Sequence, residues 1–308
     1  MLDVLLLLMT FGLGALLSRV SLCAVGAVQQ RIVFGKSAGL KRLLLAAAGS
    51  GVTLLLCAAW APDMLHLPAD PTFRWGIVAG GVLLGIGAMI NGGCYLGSVL
   101  YLGTGNMNFL FTLLGIGVGL RGAALLAPLA GSDGPGLRMS MGAQWLWGLS
   151  AFAVIIVVLM RGKHPRGTGL WVALLVGLLA GLVYARQPGW SYGTALEALS
   201  HGRRGLAQWR TSLSALALFA GAIGEAALAG RFLLQPPNLQ RALRCLAGGS
   251  VMGFGAALVP GGNDNLLLWA IPGLTRYGVL AYGLMLGVIV MGFMLQARWP
   301  RTPRAPAQ

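Results

Sequence analysis

Charge is scarce in this chain of 308 residues. Only 9% of residues are Asp, Glu, Lys or Arg, while 57% are hydrophobic. A soluble domain carries roughly a quarter charged residues, and no long polar segment here could form a large one. Cysteine is equally sparse: Cys23, Cys57, Cys94 and Cys245. None forms a CxxC pair and no Cys/His cluster has metal-ligand spacing. That argues against a thioredoxin-like redox motif, a metal site and a disulfide framework. No cofactor is expected. The start, Met1-Leu2-Asp3, has neither a basic n-region nor a small-residue cleavage site, so Leu2–Leu17 reads as a retained helix rather than a signal peptide.

What the chain has instead is long apolar runs near the roughly 20 residues needed to cross a bilayer. They predict an all-α polytopic membrane protein with nine spans: Leu2–Leu17, Gly39–Trp60, Arg74–Ile90, Asn106–Leu129, Ala143–Arg161, Gly169–Ala185, Thr211–Gly230, Ala242–Val259 and Arg276–Ala297. The net charge of +15 would suggest nucleic acid in a soluble protein. Here the cations sit mostly in short loops, as topology signals do, and no nucleic-acid partner is expected. The partner is the lipid bilayer, and the positive field also suits attraction of a small anion.

The chain repeats itself. Ile90-Asn91-Gly92-Gly93-Cys94 and Val259-Pro260-Gly261-Gly262-Asn263 each end an apolar run, and Gly85-Ile86-Gly87-Ala88 precedes the first as Gly253-Phe254-Gly255-Ala256 precedes the second. The glycine pairs are 169 residues apart. Shifting the first four spans by that offset lands on the last four. This predicts a first repeat over 1–130, a linker with a connecting span over 131–167, a second repeat over 168–298 and a disordered basic tail over 299–308. One extra span between the repeats makes the second enter from the opposite side, an inverted-topology repeat. Helices broken at matching points of two halves build transporter sites at membrane depth.

Four segments are too short or too polar to cross: Ser18–Ala38, Cys94–Gly103, Gln187–Gln208 and Asn263–Ile271. They are expected to dip in and line a central path, since irregular backbone at that depth must be covered by protein or face a water-filled cavity. Lys and Arg favour an outer N-terminus and an inner C-terminus. The exception is Arg186–Arg210, an outer stretch with four cations, which either serve the path or form a solvated face.

Within these breaks the residues that carry chemistry are Cys94, directly after Gly92-Gly93, and Cys23, followed by Gly26. A half-helix starting at Gly92-Gly93 would aim free N–H groups and a positive dipole end at an anion. Asn91, Gly261, Gly262, Asn263 and Asp264 complete the candidate path. Asp264 could act on the path, bind a proton or cap the following helix. Cys57 and Cys245 lie within spans and read as packing, as do Met89, Met107, Met252 and Met285. Arg121 and Glu225 fall inside spans, too far apart along the bilayer normal to pair, and are either functional or structural.

Together, the Cys-x-x-Gly segment after the first span and the Gly-Gly-Cys after the third resemble the YeeE/YedE sulfur-transport family, a likeness covering nearly the whole chain. The resemblance implies a bacterial inner (plasma) membrane protein that takes up thiosulfate or a related sulfur compound. It also implies that Cys23 and Cys94 are relay thiols making S–H···S contacts, and that a TusA-like cytoplasmic sulfur carrier is a partner. The thiosulfate branch carries a further cysteine in the second Gly-Gly motif, where this chain has Asn263. Transport rather than catalysis is therefore expected. Two rival readings are a passive channel for a small solute and a membrane thiol enzyme such as a sulfurtransferase, the latter disfavoured by the missing CxxC and nearby base.

Overall fold

The structure is a computed structural model that describes residues 2–62, 65–125, 141–160, 168–200, 202, 205–259 and 261–298. The expected basic tail and parts of the linker lie outside the described residues. The apolar runs form long helices: α1 (Leu2–Arg19), α3 (Ala38–Trp60), α4 (Trp75–Asn91), α6 (Asn108–Leu125), α7 (Met141–Met160), α8 (Thr168–Arg186), α10 (Leu206–Leu228), α11 (Leu239–Leu258) and α13 (Arg276–Arg298). Between them lie three nine-residue helices, α2 (Ala24–Ile32), α5 (Tyr95–Gly103) and α9 (Tyr192–Ser200). The last short element is α12 (Asn263–Asn265), which runs on as a π-helical turn through Leu266–Ala270.

Among the described residues, seven helices are long and apolar enough to cross a membrane, or eight if α11 and the bent segment after it count as one span. The outward faces of the long helices carry exposed Leu8, Leu114, Val118, Leu216 and Leu295. A soluble helix turns its apolar stripe inward; these present apolar side chains outward as well, as helices in lipid do. The protein is a polytopic all-α membrane protein. Helix α10 starts five residues before the expected Thr211, its first turns including Gln208, Trp209 and Arg210. Asn238 caps α11, accepting from the backbone N–H groups of Gln240 and Arg241 at 3.1 and 3.4 Å.

Helices α4 and α11 cross at the centre by glycine contact, the packing that membranes favour in the absence of a hydrophobic drive. A Cβ on Gly248 would lie 2.7 Å from the Gly87 carbonyl oxygen, and one on Gly255 2.8 Å from that of Gly80. The pairing order makes the two helices antiparallel. By the same contacts α6 runs parallel to α11, with Gly249 on Thr112 and Gly253 on Ile116, and α4 runs parallel to α13, with Gly81 on Ala281 and Gly85 on Met285. Helix α1 packs on α10, and α3 on α8.

Glu225 and Arg121 do not meet. Glu225, 8% exposed, pairs with Arg19 at 3.0 Å and with Arg231, whose guanidinium also donates to the Ser18 carbonyl at 2.9 Å. This knot ties the end of α1 to the end of α10. Arg121 instead donates to the Ser200 carbonyl at 3.2 Å. Removing one partner of a buried ion pair strands the others, but both arginines are partly exposed, Arg19 by 64% and Arg231 by 41%. Glu225→Ala should therefore destabilise the protein by about 1–3 kcal/mol, less than the fully buried limit. Thermal unfolding of the purified protein checks this, with Glu225→Gln falling between the two.

Candidate functional site

The site is made where the short helices begin. Helix α4 ends at Asn91, and Gly92 turns the chain with φ of 75°, a left-handed conformation that suits glycine. Gly261 repeats that turn in the second half with φ of 93°. Asn91 locks the first break. Its amide nitrogen donates to the Gly93 carbonyl at 2.7 Å and its amide oxygen accepts from Thr112 Oγ1 at 2.7 Å. Cys94 then stands at the N-cap of α5, and Cys23 at the N-cap of α2, neither thiol bonding its own helix as a cap.

The structure brings the two thiols together. Cys94 Sγ lies 3.7 Å from Cys23 Sγ, within reach of a sulfur hydrogen bond, and both residues are 1% exposed. The first amide of α2, on Ala24, donates to Cys94 Sγ at 3.3 Å. The sulfur of one half-helix thus occupies the electropositive start of the other, where an anion would bind. Gly97 makes this approach possible: a Cβ there would lie 2.6 Å from Cys23 Sγ. Gly26 has room beside it, its nearest neighbour being Cys23 Cβ at 3.8 Å from where a Cβ would stand.

Asn263 joins the second half to this centre. Its amide oxygen accepts from the Tyr95 N–H at 3.1 Å. Aligned on the glycine pairs, Asn263 stands opposite Cys94. By cap position the equivalent of Cys94 is Gly262, the N-cap before α12, and Asn263 is the first helical residue, as Tyr95 is in α5. The two breaks differ by one residue between the left-handed glycine and the cap. Asp264 is the second helical residue, so capping belongs to Gly262 and not to Asp264.

Not every residue beside the thiols shows in the sequence. Ser191 precedes α9 as Cys23 precedes α2, at an offset of 168, and its hydroxyl accepts from the Thr194 N–H at 3.3 Å. The offset was the signal that could have found it. Tyr192 follows and donates its hydroxyl to the Tyr95 carbonyl at 2.9 Å, with the two rings 5.6 Å apart. The other cysteines stand apart in role: Cys57 is half-buried in the second half of α3, and Cys245 is fully buried in α11. A groove of about 880 Å³ lies between α6 and α9. It is lined by leucines with Arg121 at its edge, and no candidate path residue lines it.

Broken helices that bury facing thiols and helix starts inside a bundle with an apolar exterior define a membrane transport protein. The family model described as Sulphur transport matches the chain over residues 19–164 and 161–291. The chain belongs to this sulfur-transport family, the YeeE/YedE family, and is a transporter of a sulfur compound. No curated protein matches it.

Proposed function

We propose that the protein imports a small sulfur-containing anion, thiosulfate or a related compound, along a path between Cys23 and Cys94. The observation that carries this is the 3.7 Å approach of the two buried thiols, with a helix-start amide on one of the sulfurs. A terminal sulfur on the substrate replaces this contact by S–H···S contacts to each thiol in turn. Each is weak, so the anion is held and released without covalent turnover, as conduction through narrow sites requires. Helix N-termini at Cys23 and Cys94 supply the positive potential.

The two halves act as an inverted repeat whose breaks meet at the centre. The antiparallel crossing of α4 and α11, and the matching pairs α1 on α10 and α3 on α8, support that reading. The membrane is the bacterial inner membrane, with the N-terminus periplasmic and the C-terminus cytoplasmic. There a TusA-like carrier takes the delivered sulfur compound.

The test is uptake of radiolabelled thiosulfate, sulfite and sulfate by cells that carry this gene and lack other routes. Saturable thiosulfate uptake above the empty-vector level is expected. Equal rates for sulfate would contradict a sulfur-sensing path. Asn263 provides a second check, because its side chain ties the second half to the start of α5. Asn263→Ala should lower uptake about tenfold by leaving the buried Tyr95 N–H without its acceptor, while Asn263→Cys retains part of it. A fully active Asn263→Ala protein would reduce the second half to scaffold.

A further inference from the structure

Beside the thiols, on the side of the second half, lies a cluster of buried polar atoms without partners among the described residues. They are Tyr95 OH, Tyr184 OH, Trp190 Nε1, Asn263 Nδ2 and Asp264 Oδ1, on residues no more than 2% exposed. Buried polar groups are nearly always satisfied, and each exception asks for a reason. Four of these atoms can donate, so the missing component is an acceptor. The oxygens of a sulfur oxyanion are such acceptors, and its terminal sulfur would then face Cys94.

Asp264 does not fit that description as a bare carboxylate. Its Oδ1 and the Tyr95 ring flank the same glycine, lying 2.7 and 2.8 Å from where a Cβ on Gly262 would stand. Ser191 hydrogen-bonds its carboxyl, and Tyr95 from α5, Tyr184 from α8 and Tyr192 from α9 lie in its electrostatic range. Glu197 of α9 and Tyr277 of α13 lie in the electrostatic range of Tyr95 and Tyr184 respectively. Among the described residues no Lys or Arg pairs with Asp264. Hydrogen bonds from Ser191 and from the backbone of Asp264 and Asn265 reach the carboxyl, but no cation among the described residues balances it, so an incoming anion would meet a like charge in a medium that screens it little.

We propose that Asp264 binds one proton together with each sulfur oxyanion, so that the cluster of Tyr95, Tyr184, Trp190 and Asn263 takes up an anion and a proton as a pair. This rests on the reading that a sulfur anion passes Cys23 and Cys94. The proton enters from the outer water and forms an O–H bond on the carboxyl, which donates to a substrate oxygen. That bond breaks when anion and proton leave to the cytoplasmic water. No electron moves. Intramembrane carboxyls serve transporters in this way as proton relays.

The test uses the purified full chain in lipid vesicles loaded with a pH-sensitive dye, with radiolabelled thiosulfate as the probe. Wild-type protein should acidify the lumen as thiosulfate enters, one proton per anion. By linkage, apparent thiosulfate affinity should fall up to about tenfold for each unit of rising pH. Asp264→Asn, checked for folding by thermal unfolding, should bind thiosulfate with an affinity that no longer varies with pH and should carry no protons. Asp264→Glu should keep the coupling and covers the case in which the amide does not fold. Uptake by wild type without proton flux, or coupling that survives Asp264→Asn, overturns the proton role alone. Loss of all binding in a folded Asp264→Asn protein overturns it too. No thiosulfate uptake by wild type at any pH overturns the sulfur-anion reading itself.

Discussion

Cells carrying Cys94→Ala or Cys23→Ala should take up thiosulfate at no more than about a tenth of the wild-type rate, a loss equivalent to about 1.4 kcal/mol or more. Membrane abundance should not change, because each side chain is small and its loss leaves a shallow gap. The reason for the large effect is geometric. The sulfurs face each other at 3.7 Å with almost no exposure, so a substrate that reached one thiol would meet the other. Serine at either position tests what sulfur contributes. It keeps the size and the hydrogen bond but loses polarisability, and it should behave as alanine does. Full uptake by the serine variants would mean that any small polar group suffices. Cys57→Ala and Cys245→Ala should transport nearly as wild type does, since neither thiol stands at a helix break. Immunoblots and uptake on the same membranes separate loss of function from loss of protein.

Gly97→Ala should abolish uptake almost as completely while leaving both cysteines in the sequence. The added Cβ would meet Cys23 Sγ at 2.6 Å and Cys23 Cβ at 3.1 Å, with Cys94 Sγ at 3.8 Å. Real Cβ atoms do not tolerate the first of these. The cheapest relief is rotation of the Cys23 thiol into another staggered position, which takes it away from Cys94. Uptake should drop at least about tenfold. Combining Gly97→Ala with Cys23→Ala should add little, the signature of two changes acting on one contact. Gly117→Ala is the control on a nearby helix. A Cβ there meets nothing within 4 Å, so uptake should stay at the wild-type level. Normal uptake by Gly97→Ala would show that the thiol approach is incidental.

The span positions were legible because lipid imposes a simple rule on composition, and the helices start and stop within a few residues of the apolar runs. The polar ends were less legible. Helix α10 carries on through Arg210 and Trp209, since a helix does not stop where hydropathy does. Helix α11, with Gln240, Arg241 and Arg244 in its first turns, passes as a span only together with the bent segment after it. The short helices α2, α5 and α9 were visible as segments too polar or too brief to cross. The contact between Cys23 and Cys94 was not, because it depends on how α2 and α5 approach through Gly97, and spacing in sequence says nothing of that. Nor did the glycine-pair alignment reveal that Gly262, not Asn263, takes the cap position of Cys94. Tyr184 and Trp190 carried no pattern at all. Tertiary packing alone buries their polar atoms, with Tyr184 in the electrostatic range of Asp264 and Trp190 against the Tyr184 ring.

One measurement bears most directly on the passage of sulfur between the thiols: the position of a heavy analogue in a crystal of the protein. Selenosulfate places selenium where thiosulfate has its terminal sulfur, and anomalous scattering locates that atom without assuming a pose. The account predicts a selenium peak within about 4 Å of Cys23 Sγ or Cys94 Sγ, the outer limit of a sulfur hydrogen bond, and its loss in Cys94→Ala. A peak confined to the leucine-lined groove beside Arg121, or one unchanged in the Cys94→Ala crystal, would contradict it.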